Sequence, residues 1–112
     1  VASEEDDMYN KLDWFITPCL DINIRNYLIQ IKDNTILNAG IIGGKRKNIL
    51  NFLKKISNYF LNNPNKECNI NMHLVNYILY KDFKDTIKYG GKLNSRFKFY
   101  ENFRKDIYFI HK

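Results

Sequence analysis

TILNAGIIGGKRKNILNFLKKISNYFLN, residues 35–62, decides the architecture. Its first part is rich in β-branched residues, with Thr35, Ile36, Ile41 and Ile42, and reads as a short buried strand over 35–44. Gly40, Gly43 and Gly44 then mark a turn, since glycine reaches backbone angles that other residues resist. From Arg46 onward the period changes. Ile49, Leu50, Phe52, Leu53, Ile56, Tyr59 and Phe60 recur at helical spacing, with Lys47, Lys54, Lys55, Asn58 and Asn62 on the other face. Asn62-Asn63-Pro64-Asn65 stops that helix. A second helix is expected from Asn71 to Phe83 on the stripe Met72, Val75, Leu79 and Phe83. Upstream, residues 14–31 are ambiguous between helix and extended chain: Pro18 biases Thr17 away from helix, while Asp21 can cap a short helix over 22–31. After Gly90-Gly91, KLNSRFKFY and DIYFIHK alternate as short strands do. Strand, helix, helix and strand-like pieces in that order indicate an α/β or α+β layer rather than a bundle.

At 112 residues the chain has room for one domain and one core, so 1–112 is read as a single domain. Eight Phe and eight Tyr argue against a disordered tail. No apolar run is long enough for a transmembrane helix. Two distant cysteines, Cys19 and Cys68, exclude a disulfide scaffold. With no signal peptide and no Asn-x-Ser/Thr among sixteen asparagines, they suggest a cytoplasmic, non-secreted protein. The first residue is Val1 rather than Met, which reads as processing or excision from something longer. The net charge of +6 is uneven. Glu4, Glu5, Asp6, Asp7 and Asp13 against Lys11 make residues 1–13 about −4, leaving about +10 on the rest. A basic body suits phosphates, nucleic acid or an acidic partner, although a composition rich in Asn, Ile, Lys and Tyr also explains the lysines.

Four groups of residues invite chemistry. The glycine turn leads into a helix N-terminus whose amides, with Lys45 and Arg46, suit an anion or a hydroxyl-rich ligand. It matches neither a P-loop nor GxGxxG. His73 and His111 cannot make a metal site by themselves; His73 reads as packed or at the surface, and His111 as a solvated chain end. The carboxylates at 4–6 suit a hard divalent cation or a frayed end. Finally, Tyr89, Phe97, Phe99, Tyr100 and Phe103 alternate with Lys92, Arg96, Lys98, Arg104 and Lys105, which suits nucleic acid or a two-faced strand. A non-enzymatic basic module for nucleic acid or an acidic protein is therefore the alternative to an enzymatic reading.

Six separated pieces occur in an informative order: SEED at 3–6, LDW at 12–14, ILNAGIIGG at 36–44, NMHLVNY at 71–77, GGKLNSRF at 90–97 and FIHK at 109–112. Together they resemble the C-terminal half of a GT-A-type nucleotide-sugar glycosyltransferase domain. The resemblance implies an α/β fold, a partial GT-A-like (nucleotide-diphospho-sugar transferase) mixed sheet with flanking helices. This chain would be its acceptor- and sugar-side portion. Asn38, Ala39, Gly40, Gly43 and Gly44 would border the donor sugar, Glu4 and Glu5 the acceptor, and His111 would help hold Mn²⁺ or Mg²⁺. Asn71-Met72 stands where the family has Asp-Met, and an amide binds a hydroxyl but cannot act as a carboxylate base. The nucleotide-binding half, with an Asp-x-Asp that this chain lacks, is expected before Val1. The resemblance thus implies a fragment or degenerate relative, inactive alone, whose donor is a nucleotide-sugar and whose acceptor is a hydroxyl.

Overall fold

The computed structural model describes residues 2–7, 12–64, 70–89 and 105–106. Strand β1 (Ala2–Asp7) leads to one π-helical turn (Leu12–Ile16), helix α1 (Ile22–Gln30), strand β2 (Thr35–Ile42), and helices α2 (Arg46–Asn62) and α3 (Asn71–Asp82). The result is a small mixed helix-and-strand protein, as the alternating periods predict. The expected strands in KLNSRFKFY and DIYFIHK lie outside the described residues, apart from Asp106.

The ambiguous stretch 14–31 resolves at Asp21. Its carboxylate Oδ1 accepts from the N–H groups of Asn23 at 3.0 Å and Ile24 at 3.2 Å, satisfying donors that the first turn leaves open. Helix therefore starts at Ile22, three residues beyond the turn in which Cys19 N–H donates to Ile16 C=O. Helix α1 buries Ile24 and Leu28, one turn apart on one face. Asn34 closes the following turn, its backbone N–H and its side-chain amide both donating to Ile31 C=O at 2.9 Å. The chain then enters β2.

Strand β2 pairs antiparallel with β1, Ser3 facing Asn38, Glu4 facing Leu37 and Asp7 facing Thr35, with irregular register between 4 and 7. The acidic run read as a patch or a frayed end is thus backbone in a sheet. Its composition is poor for a strand by propensity, but charge and irregular pairing are what keep an edge strand from recruiting other chains.

Among the described residues, helix α3 is the most deeply packed element. Leu74, Val75, Asn76, Ile78, Leu79 and Tyr80 are all buried, around a core with Phe15, Ile16, Ile24, Leu28, Ile36 and Leu37. Each such apolar side chain contributes roughly 1.5–3 kcal/mol on burial. Helix α2 matches its expected bounds, yet buries only Phe52. Ile56, Tyr59 and Phe60 pack partly against the core. An ion pair of Lys55 with Asp82 at 3.2 Å and an edge-to-face contact of Phe52 with Phe83 tie α2 to α3.

Candidate functional site around the end of β2

One buried amide fixes the geometry of the site. Asn76, 0% exposed, accepts from Leu37 N–H through Oδ1 at 2.8 Å and donates through Nδ2 to Leu37 C=O at 2.8 Å. A second Nδ2 bond reaches Met72 C=O within α3. The N–H and C=O of one strand residue point off the same edge. Asn76 therefore takes the place of a neighbouring strand at Leu37. One turn later, the Tyr80 hydroxyl donates to Thr35 C=O at 2.5 Å, two residues back along the same edge. Helix α3 is thereby locked in register with the first half of β2, and its N-terminal residue Asn71 is carried toward the second half.

There the expected residues gather in part. Ala39 and Asn71, 32 positions apart in sequence, line one cleft of about 260 Å³ walled by Ile42, Phe52, Phe60 and Val75. Asn38 Oδ1 accepts from Gly40 N–H at 2.7 Å, so the Asn-Ala-Gly segment is held by its own side chain. Gly43 and Gly44 line a second cleft, of about 120 Å³, with Asn48, Ile49 and Thr86. Ile42 and Phe52 belong to both walls, so the clefts are neighbours. Glu4 lies opposite Leu37 in the backbone pairing, next to Asn38, and Glu5 follows it. His111 lies outside the described residues.

The glycines differ from expectation in two respects: Gly40 lies inside strand β2 rather than in the turn, and the turn itself needs no unusual backbone. Neither Gly43 nor Gly44 adopts a left-handed backbone; a Cβ at Gly43 would meet nothing within 4 Å, and one at Gly44 would touch Ile49 at 3.8 Å. What glycine provides here is the space a side chain would fill rather than an otherwise forbidden turn. At the start of α2, Lys45 provides no side-chain cap, and the first turn contains no acid.

His73 is a packed residue. Its ring stacks on Phe15 with centroids 4.8 Å apart, and Nε2 bonds Phe15 C=O at 2.5 Å. Cys68 is outside the described residues, and Cys19 is buried, its Sγ donating to Asp21 C=O at 3.7 Å. Most of the alternating aromatic and basic stretch 88–108 is outside them too; Tyr89 packs partly against the core. Among the described residues, no three of His, Cys, Asp and Glu stand close enough to hold a metal ion.

A second polar junction joins α2 to α1. The Tyr59 hydroxyl donates to Asp21 Oδ2 at 2.6 Å. Burial, then the bond to Asp21 and its negative charge, push the phenol well above its ordinary value. Asp21 thus caps one helix and anchors another. Periodicity did not reveal Asn76, Tyr80 or this junction. The available signal for Asn76 was an amide inside the apolar run LVNYILY at 74–80, where a buried polar group must find partners.

No protein-family model, curated protein or solved structure matches this chain.

Proposed function

We propose that this chain is the sugar- and acceptor-facing portion of a GT-A-type glycosyltransferase domain, as a fragment or a degenerate relative. In a complete domain the reaction would move a glycosyl group from a nucleotide-sugar to a hydroxyl acceptor. The observation that carries the reading is the shared cleft of Ala39 and Asn71, two segments singled out separately and brought together by fold. Around that cleft, the backbone at Ala39 and Gly40 approaches the sugar ring, and the Asn71 amide donates to or accepts from a hydroxyl. Phe52 and Phe60 supply an apolar wall against the C–H face of the ring and keep water away from it. Gly43 and Gly44 leave room beside the start of α2 for the next part of the donor. Glu4 and Glu5 border the acceptor.

No residue placed at this cleft serves as a base, because Asn71 has no proton-accepting carboxylate. The resemblance also implies a divalent cation on the departing diphosphate, with His111 among its ligands. The described residues do not supply a donor set for it. The isolated chain should therefore bind the sugar end of a donor weakly and transfer nothing.

Saturation-transfer NMR with UDP-glucose, UDP-galactose and GDP-mannose tests this directly. Saturation is expected on sugar-ring protons of at least one donor and not on its nucleoside protons, with no sugar transfer or donor hydrolysis. Equal saturation of the nucleoside, none with any donor, or turnover by the purified chain would contradict the reading.

A further inference from the structure

Helix α2 carries more apolar surface than the body of the protein covers. Phe52 faces inward and is 5% exposed, while Leu50, Leu53 and Leu61 are 53%, 50% and 76% exposed. At 3.6 residues per turn, these three leucines fall with Arg46, Lys47 and Lys54 within about one third of the helix circumference, opposite Phe52. All three cations are exposed. Lys55 is different: it turns toward α3 and pairs with Asp82. No acidic residue occurs between Asp33 and Glu67, so nothing on α2 offsets the positive field. The outer side of the helix is a ridge of leucines with cations among and beside them.

We propose that this ridge is a docking surface for an anionic phospholipid bilayer. Two features select that occupant. The charge is of one sign, which complements a surface carrying many negative headgroups. The second is placement: the two clefts described above lie on the inward flanks of α2, lined by Ile49, Phe52, Ile56 and Phe60, and the three leucines stand exposed on its outer side. An exposed row of leucines flanked by cations suits a flat, deformable surface that leucines can enter while Arg46, Lys47 and Lys54 reach the headgroups. The helix would lie in the plane of the interface, anchored from outside rather than spanning it. No helix among the described residues is long and apolar enough to cross a membrane. This inference is independent of the sugar cleft.

Co-sedimentation with phosphatidylcholine vesicles, with and without about one-third phosphatidylserine, tests it. The chain is expected to sediment with the serine-lipid vesicles and not with phosphatidylcholine alone, and less as salt rises. L50S/L53S and K47E/K54E should each weaken binding at least about tenfold, each losing one of the two contributions. Circular dichroism should find both variants folded, because the four side chains are exposed. Failure to bind anionic vesicles, or binding that survives both double variants, overturns the proposal. So does self-association abolished by L50S/L53S, which would make the ridge a contact between copies of this chain. Equally salt-sensitive binding to an oligonucleotide, lost in K47E/K54E but unchanged in L50S/L53S, would assign the cations to nucleic acid instead.

Discussion

Helices α2 and α3 reverse the roles that their sequences suggest. Helix α2 has the sharper division into apolar and basic faces, yet buries one residue. Helix α3 has a weaker stripe and buries six. The difference shows what amphipathicity measures. A sharply divided helix is one that meets water on one side; a helix packed on most sides has little reason to segregate its residues. Helix α3 touches α1, β2 and α2, so nearly every turn needs an apolar side chain, and the one amide among them must be matched. Helix α2 rests on one flank of the core and leaves three leucines outside.

The largest effect that separates the two helices is expected at Asn76. Asn76→Leu fills similar volume but leaves the buried N–H and C=O of Leu37 without the amide. Each orphaned group costs about 1–3 kcal/mol, so a loss on the order of 3–5 kcal/mol is expected by urea denaturation. A loss below about 1 kcal/mol would mean that α3 is not held to β2 through this amide.

A smaller effect is expected where α2 meets α1. Tyr59→Phe removes a hydrogen bond to a carboxylate and should cost about 1.5–2 kcal/mol at neutral pH, the low end because the phenol is only partly buried. Its pH dependence has a definite sign. The folded phenol ionises above its ordinary value of 10.0, so its stabilisation is complete below that pH and declines as pH rises beyond it. Unfolding followed above pH 10 should show a shallower decline in Tyr59→Phe than in the parent chain. Identical slopes would remove Tyr59 from the alkaline response. The smallest change belongs to the outer leucines of α2, whose substitution should move stability by no more than about 0.5 kcal/mol each.

Much of the scaffold was legible from local pattern. The strand and helix in 35–62 and the helix from Asn71 follow from β-branching, glycine punctuation and helical spacing, because each signal is contained in a few neighbouring residues. The cap at Asp21 was legible for the same reason. Three features were not. Strand β1 is written in residues that disfavour strands, and its pairing depends on β2, which no local pattern in residues 2–7 reports. The inward and outward halves of the α2 stripe look alike in sequence, since the extent of coverage is set by α3 and β2. The Asn76–Leu37 clamp spans 39 positions, and no local period reports such a contact. At the candidate site, the turn and Asn71 stood out individually, whereas their meeting at one cleft required the register that Asn76 imposes.

The most direct test is a titration of the ¹⁵N-labelled chain with the donor sugar-nucleotides, read at the backbone amides of Ala39, Gly40, Gly43 and Asn71. These four signals are expected to shift together along one saturable curve, with Asn76→Leu uncoupling Asn71 from the other three. Shifts confined to other parts of the chain, or independent curves for the β2 end and Asn71, would contradict a single sugar-facing site.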